Sequence, residues 1–128
     1  MVQSLNTKMD ITSKGTWFRE GPIYGNIMVG DQAFEFYNDT KLRDYIQIPW
    51  TEVTYVIVDI YFGGRYIPRF EIRTKHNGNL RFSSRKSRET IKAIQKRIPR
   101  ESLRRAQGVG TILKQRFKNL VRLIAKKK

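Results

Sequence analysis

The sequence predicts a mainly β (α+β) domain: six or seven antiparallel strands in a partly open barrel, capped by one C-terminal helix and followed by a basic helical tail. Three observations lead there. Strand-like runs separated by turn signals fill residues 23–82. One amphipathic helical pattern follows and stops at Pro99. Beyond Pro99 the chain becomes basic and takes helical spacing again. The 128 residues suit one domain. With 39% apolar and 12% aromatic residues, they can build a core.

Residues 23–29 are a short apolar run closed by the turn signal Gly30-Asp31. Ala33-Phe34-Glu35-Phe36-Tyr37 lacks clean alternation, so both of its faces are expected to be partly covered. Asn38-Asp39-Thr40 is a second turn. Residues 45–48 alternate as a half-buried strand does, with Ile46 and Ile48 on one face. Pro49 cannot donate to a ladder and ends that strand or marks an edge. Residues 53–62 form the strongest strand, dense in β-branched and aromatic side chains. Gly63-Gly64 signals a hairpin. The next strand runs from about residue 65 to 74, and Pro68 inside it implies an edge or a bulge.

Phe70 and Ile72 should share a face with Leu80 and Phe82. A two-residue Asn77-Gly78 turn would set Phe82 against Arg73 and mix the faces. A three-residue loop, His76-Asn77-Gly78, pairs Ile72 with Phe82 and Thr74 with Leu80, with Gly78 left-handed. That register places Arg73 opposite Arg81, with Arg69 and Lys75 on the same face. Directly opposed like charges destabilise a sheet, so Arg69, Arg73, Lys75 and Arg81 are a candidate anion-binding set. The alternative is that the arginines splay into water and Glu71 neutralises part of the charge.

Ser84 or Ser87 can cap a helix running to Ile98, with Ile91, Ile94 and Ile98 as its apolar stripe. Pro99 ends it. Gly108-Val109-Gly110 reads as a hinge. From Thr111, Leu113, Phe117, Leu120, Val121 and Ile124 follow helical spacing, while Lys114, Lys118 and Arg122 lie opposite. The expected organisation is an arm at 1–14, a domain at 15–99 and a basic tail at 100–128.

Charge is the strongest functional signal. The net charge is +15. Residues 1–60 carry eight acids and five bases, net −3; residues 61–128 carry three acids and twenty-one bases, net +18. Solubility needs no such asymmetry. The second half presents a positive field to an anionic partner: nucleic acid, lipid headgroups or an acidic protein.

Zero cysteines exclude disulfides, thiolate metal sites and a cysteine nucleophile, and a single histidine excludes multi-histidine metal sites. Residues 1–15 have no apolar h-region, and no window approaches a membrane span, so a cytoplasmic location is expected. His76 is expected to be an exposed turn residue. A serine triad would need it as base with a buried acid behind it, and a hairpin tip offers neither. The carboxylates show no paired spacing, and the glycine motifs match no nucleotide-binding pattern. No catalytic residue, metal site or cofactor is therefore expected.

All strands first and the helix last looks like the pleckstrin-homology-like arrangement, to which bacterial GRAM-type modules are similar. The same order disfavours an OB-like barrel. Four segments carry a further resemblance: residues 1–8; Gly30-Asp31-Gln32-Ala33-Phe34-Glu35-Phe36-Tyr37-Asn38-Asp39; Asp44-Tyr45-Ile46-Gln47-Ile48-Pro49-Trp50; and Ile67-Pro68-Arg69-Phe70 with Ile72-Arg73-Thr74-Lys75 and Phe82-Ser83-Ser84. In this order they resemble the ManO family of small Gram-positive proteins, over about residues 1–100. The resemblance implies association with a mannose-type sugar phosphotransferase system and a regulatory role there. It implies no enzyme activity and no cofactor.

The expected function is thus a non-catalytic regulator or adaptor that binds a protein partner, with phosphotransferase transporter subunits as candidates. Leu113, Lys114, Phe117, Lys118, Leu120, Arg122 and Ile124 form the candidate membrane- or partner-binding set, since a basic amphipathic helix can lie in an anionic lipid interface. The same apolar side can instead dock on the protein's own domain or on a second copy, giving a homo-oligomer. The competing class is a nucleic-acid-binding regulator of the transporter operon, although no helix-turn-helix pattern is clear.

Overall fold

The computed structural model describes residues 3–41 and 43–106. Eight strands make one sheet: β1 (Met9–Phe18), β2 (Pro22–Gly30), β3 (Ala33–Asn38), β4 (Tyr45–Pro49), β5 (Val53–Val58), β6 (Phe70–Thr74), β7 (Asn79–Ser84) and β8 (Leu103–Arg105). The helix α1 (Ser87–Gln95) follows β7. Strand order is β4-β3-β2-β1-β7-β6-β5-β8. The mainly β class holds, with one α-helix among the described residues. The sheet is not closed into a barrel: β4 and β8 are its two edges.

Four phenylalanines centre the core. Phe34 and Phe36 on β3 meet Phe82 on β7 at ring separations of 4.7 and 5.8 Å, and Phe70 on β6 stacks on Phe82 at 5.8 Å. Ile27, Val29, Val56, Ile72 and Ile94 are fully buried around them. The helix stripe is as expected, with Ile91, Ile94 and Ile98 buried. β3 is covered on both faces, also as expected: Ala33 to Phe36 are all buried.

Several expectations are corrected. β1 begins at Met9, inside the segment read as an arm. Its inward positions are Ile11, Ser13, Gly15 and Trp17, so the small Ser13 and Gly15 interrupt its apolar period. A Cβ on Gly15 would strike Ile27 and the Ser83 carbonyl, and one on Gly25, its partner across the strands, would strike the Tyr37 carbonyl and Phe36. The absence of side chains lets the curved sheet pack this closely. The helix stops at Gln95 rather than Ile98, and neither Ser84 nor Ser87 caps it. Ser84 Oγ instead joins Ser13 at 2.6 Å and Thr90 at 2.9 Å, tying β1, β7 and α1 together. Residues 100–105 were counted with the tail, yet they form a 3-10 turn and β8, which runs parallel to β5.

The N-terminal segment is strapped across β3. Glu35 is fully buried, and its carboxylate accepts from the Ser4 hydroxyl, from Leu5 N at 2.9 Å, from Asn6 Nδ2 at 2.8 Å and from the Tyr37 hydroxyl at 2.7 Å. Asp31 accepts from Thr7 N at 2.9 Å, from Lys8 N at 3.0 Å and from the Thr7 hydroxyl. The amides and hydroxyl supplied by Lys8 and Thr7 hold the Asp31 carboxyl well below the usual carboxylate range. Gln47 Nε2 donates to Gln3 O and to the Tyr37 hydroxyl, and Trp50 Nε1 donates to Gly30 O. Three of the four segments behind the family resemblance are therefore bonded to one another, and their residues serve the fold.

Candidate functional site

The strands of the basic half lie together at one end of the sheet. β5, β6, β7 and β8 are neighbours, and alternation sends every second side chain outward. One outward row runs Arg104, Ile57, Glu71, Arg81, Phe18 across five strands. The next row holds Tyr55, Arg73 and Asn79. Arg104 stacks on Tyr55, its guanidinium carbon 4.4 Å from the ring centroid, a geometry that favours the cation.

The expected hairpin register is corrected here. Phe70 pairs with Phe82, Glu71 with Arg81, Ile72 with Leu80 and Arg73 with Asn79. Arg73 does not oppose Arg81. The loop is longer than three residues because Thr74, though still paired with Val53 of β5, leaves the β6–β7 ladder. Its amide and hydroxyl both donate to Gly78 O, at 3.1 and 2.7 Å, and its hydroxyl accepts from Asn77 N at 2.8 Å. The shift is two residues, so faces are preserved while partners change. It gains an aromatic pair and an opposite-charge pair. Gly78 is left-handed, as expected, at φ 75°.

Glu71 consequently sits between the two arginines. It accepts from Arg73 Nε at 2.9 Å and Arg81 Nε at 3.2 Å. Partial burial raises its carboxyl, but the two guanidiniums outweigh this and hold it below the usual range. Glu71 thus neutralises part of the charge on this face. Glu71 engages both guanidiniums through Nε and leaves their terminal nitrogens for other acceptors. Lys75 lies past the end of β6, its amide bonded to Glu52 O at 2.9 Å. Arg69 lies before β6, its guanidinium 6.0 Å from the Phe18 ring. Of the four candidate anion ligands, Arg73 and Arg81 thus lie on the outward face of β6 and β7, Arg69 precedes β6 and Lys75 follows it. The set from Leu113 to Ile124 lies outside the described residues.

His76 is exposed at the hairpin, as expected, but it has a partner that adjacency in sequence did not suggest: Glu52, with Nδ1 and Oε2 3.1 Å apart. Among the described residues no group of three or more histidines or carboxylates could hold a metal ion. A shallow groove beside exposed Tyr24 is lined by Lys14, Thr16, Ser83 and Arg85, with Asp39 3.5 Å from Lys14. Sequence reasoning missed Arg104 and Tyr55, and also the exposed Phe62 and Tyr66 flanking Gly63-Gly64. The aromatics around that glycine pair were the available signal.

Comparison with known proteins agrees with the fold. A family model described as "Domain of unknown function (DUF956)" matches residues 1–117. No curated protein matches the sequence. Among solved structures, the chain is similar to the C-terminal domain of an unknown protein from Leishmania infantum, with a TM-score of 0.59 at 10% identity, over 70% of this chain and 83% of that one. At that identity the likeness shows the fold alone. No helix among the described residues is long and apolar enough to cross a membrane.

Proposed function

The chain belongs to the DUF956 family, and from that premise we propose that it is a non-catalytic adaptor whose basic half recruits an acidic partner. The observation that carries this reading is the outward face of β5 to β8. There Arg73, Arg81 and Arg104 form one array with Glu71 as the acid between them. Such a face gives orientation and association rate more than raw affinity. The proposed setting is a mannose-type phosphotransferase system, supported by the resemblance to the ManO family, with transporter subunits as partners. The basic tail, with Lys114, Lys118 and Arg122, adds attraction to the same partner or to the inner membrane surface. The fold is read as pleckstrin-homology-like, supported by the succession β1 to β7 and then α1.

The test is in-cell crosslinking and pull-down with the full chain, beside one full-length variant carrying Arg73→Glu, Arg81→Glu and Arg104→Glu. A second variant carries Lys114→Glu, Lys118→Glu and Arg122→Glu. Transporter subunits enriched by the parent chain and lost with the first variant are expected. Recovery of one promoter fragment in preference to scrambled DNA at physiological salt, without transporter, would replace this reading with the operon regulator.

A further inference from the structure

The connection from β5 to β6 ends in a closed tip that the fold does not explain. Tyr61 and Tyr66 pair across its base: Tyr61 N donates to Tyr66 O at 2.8 Å and Tyr66 N to Tyr61 O at 3.2 Å. Their rings lie 6.2 Å apart. Between them Phe62, Gly63 and Gly64 all have positive φ, at 54°, 65° and 92°. Glycine takes that conformation freely, but a bulky aromatic does so only under strain. Phe62 recovers little of this from the core, since it is 78% exposed; Tyr66 is 55% exposed. A turn alone would be served by Asn or Gly at position 62. The chain spends local backbone energy to hold an apolar ring in solvent.

The surroundings are cationic. Arg65 is exposed within the tip. Arg88, on the first turn of α1, donates from Nε to Gly64 O at 2.9 Å and tethers the tip to the helix. Lys92 lies one helical turn further on and is exposed as well. Glu89 is the acid on the same stretch of helix.

We propose that this tip is a membrane wedge: Phe62 enters the interfacial layer of an anionic lipid surface, Tyr61 and Tyr66 sit at headgroup level, and Arg65, Arg88 and Lys92 face lipid phosphates. Shape decides for lipid over a protein partner. The tip is a single tight turn closed by the Tyr61–Tyr66 bridge, with open space around Gly63 and Gly64, whereas a specific protein interface buries about 1,200–2,000 Å² with matched surfaces. A fluid interface receives a protruding ring without a shaped pocket. Aromatic rings prefer that layer, and each basic residue near an anionic leaflet adds attraction. Its residues are distinct from the arginine array on the sheet, so it is a second attachment among the described residues.

The test is co-sedimentation of the full chain with vesicles of phosphatidylcholine and phosphatidylserine in equal parts, beside pure phosphatidylcholine. Phe62→Asn keeps the left-handed turn, so it should fold at least as well as the parent while weakening binding to the mixed vesicles about tenfold. Phe62→Trp should restore binding. Arg65→Glu should reduce the preference for the mixed vesicles over the neutral ones. Binding unchanged in Phe62→Asn overturns the wedge. Binding lost only with the Lys114, Lys118 and Arg122 reversals also overturns it, while leaving attachment through the tail intact. If Phe62→Asn leaves vesicle binding unchanged but abolishes capture of a purified acidic transporter subunit, the tip is a protein contact instead.

Discussion

Glu35 shows how one residue can serve the fold while looking like chemistry. A buried carboxylate beside a serine and a tyrosine invites a catalytic reading, yet four donors from Ser4, Leu5, Asn6 and Tyr37 are directed at it. Burial above all, together with the Glu35 carboxylate, raises the Tyr37 hydroxyl against the lowering contacts of Gln47 and Ser4, so it remains a donor at neutral pH. Glu35→Gln replaces one acceptor oxygen with a donor that faces other donors. Its expected cost is about 1–3 kcal/mol in urea unfolding. Hydrogen exchange at the Leu5 amide should accelerate well beyond the global change, because the strap depends on this contact. Equal protection of Leu5 in both proteins would show that the strap is held otherwise. Nothing in the local sequence revealed this role: Glu35 lies 31 residues from Ser4, and only the pairing of β1 with β2 and of β2 with β3 brings them together.

At the scale of elements, legibility followed apolar content. β2 through β7 were visible because their inward positions are large and apolar, and the α1 stripe was visible for the same reason. β1 was not, because between Ile11 and Trp17 its inward positions are Ser13 and Gly15, and their value lies in being small. β8 was hidden by composition, since Leu103 is its inward apolar residue and Arg104 and Arg105 read as tail. The β6–β7 register failed for another reason. Alternation fixes parity, but shifts of two residues keep parity, and only pair chemistry separates them. Phe70 on Phe82 and Glu71 on Arg81 decide it. The arginine array was therefore legible as a face and not as a set of contacts. The glycine argument is testable. Gly25→Ala forces a Cβ onto the Tyr37 carbonyl and is expected to cost about 1–3 kcal/mol. Gly21→Ala, in open space, is expected to be within about 0.5 kcal/mol of the parent. Chemical denaturation of the two side by side checks this, and equal stabilities would mean that β2 relaxes without loss.

For the whole molecule, strand order converts a gradient along the chain into one across the sheet. β1 to β4, from the acidic half, occupy one side, while β5 to β8, largely from the basic half, occupy the other. Three depressed carboxylates join the parts: Asp31 holds the N-terminal strap, Glu71 bridges β6 and β7, and Asp10 binds Arg97 beyond α1. Asp10 is held low first by its hydrogen bonds from Arg97, with Nε to Oδ2 and Nη2 to Oδ1 both at 2.8 Å. The sign of the pH dependence follows. In the unfolded chain these groups titrate near pH 4. Above that value they are ionised in both states, and their stabilisation is complete. As pH falls below it, the unfolded chain takes up protons that the folded chain refuses, so stability declines toward the lower folded values. The parent should show a level melting temperature from about pH 7 to 5 and a fall from about pH 4 downward. Repulsion within a chain of net charge +15 also grows in acid, and it is common to parent and variant, so the informative quantity is their difference. A protein carrying Asp10→Asn, Asp31→Asn and Glu71→Gln should melt lower at pH 7, and the difference should begin to narrow below about pH 4 and close only as pH falls through the lower folded values. Curves that stay parallel across that interval would place the acid sensitivity in other carboxylates.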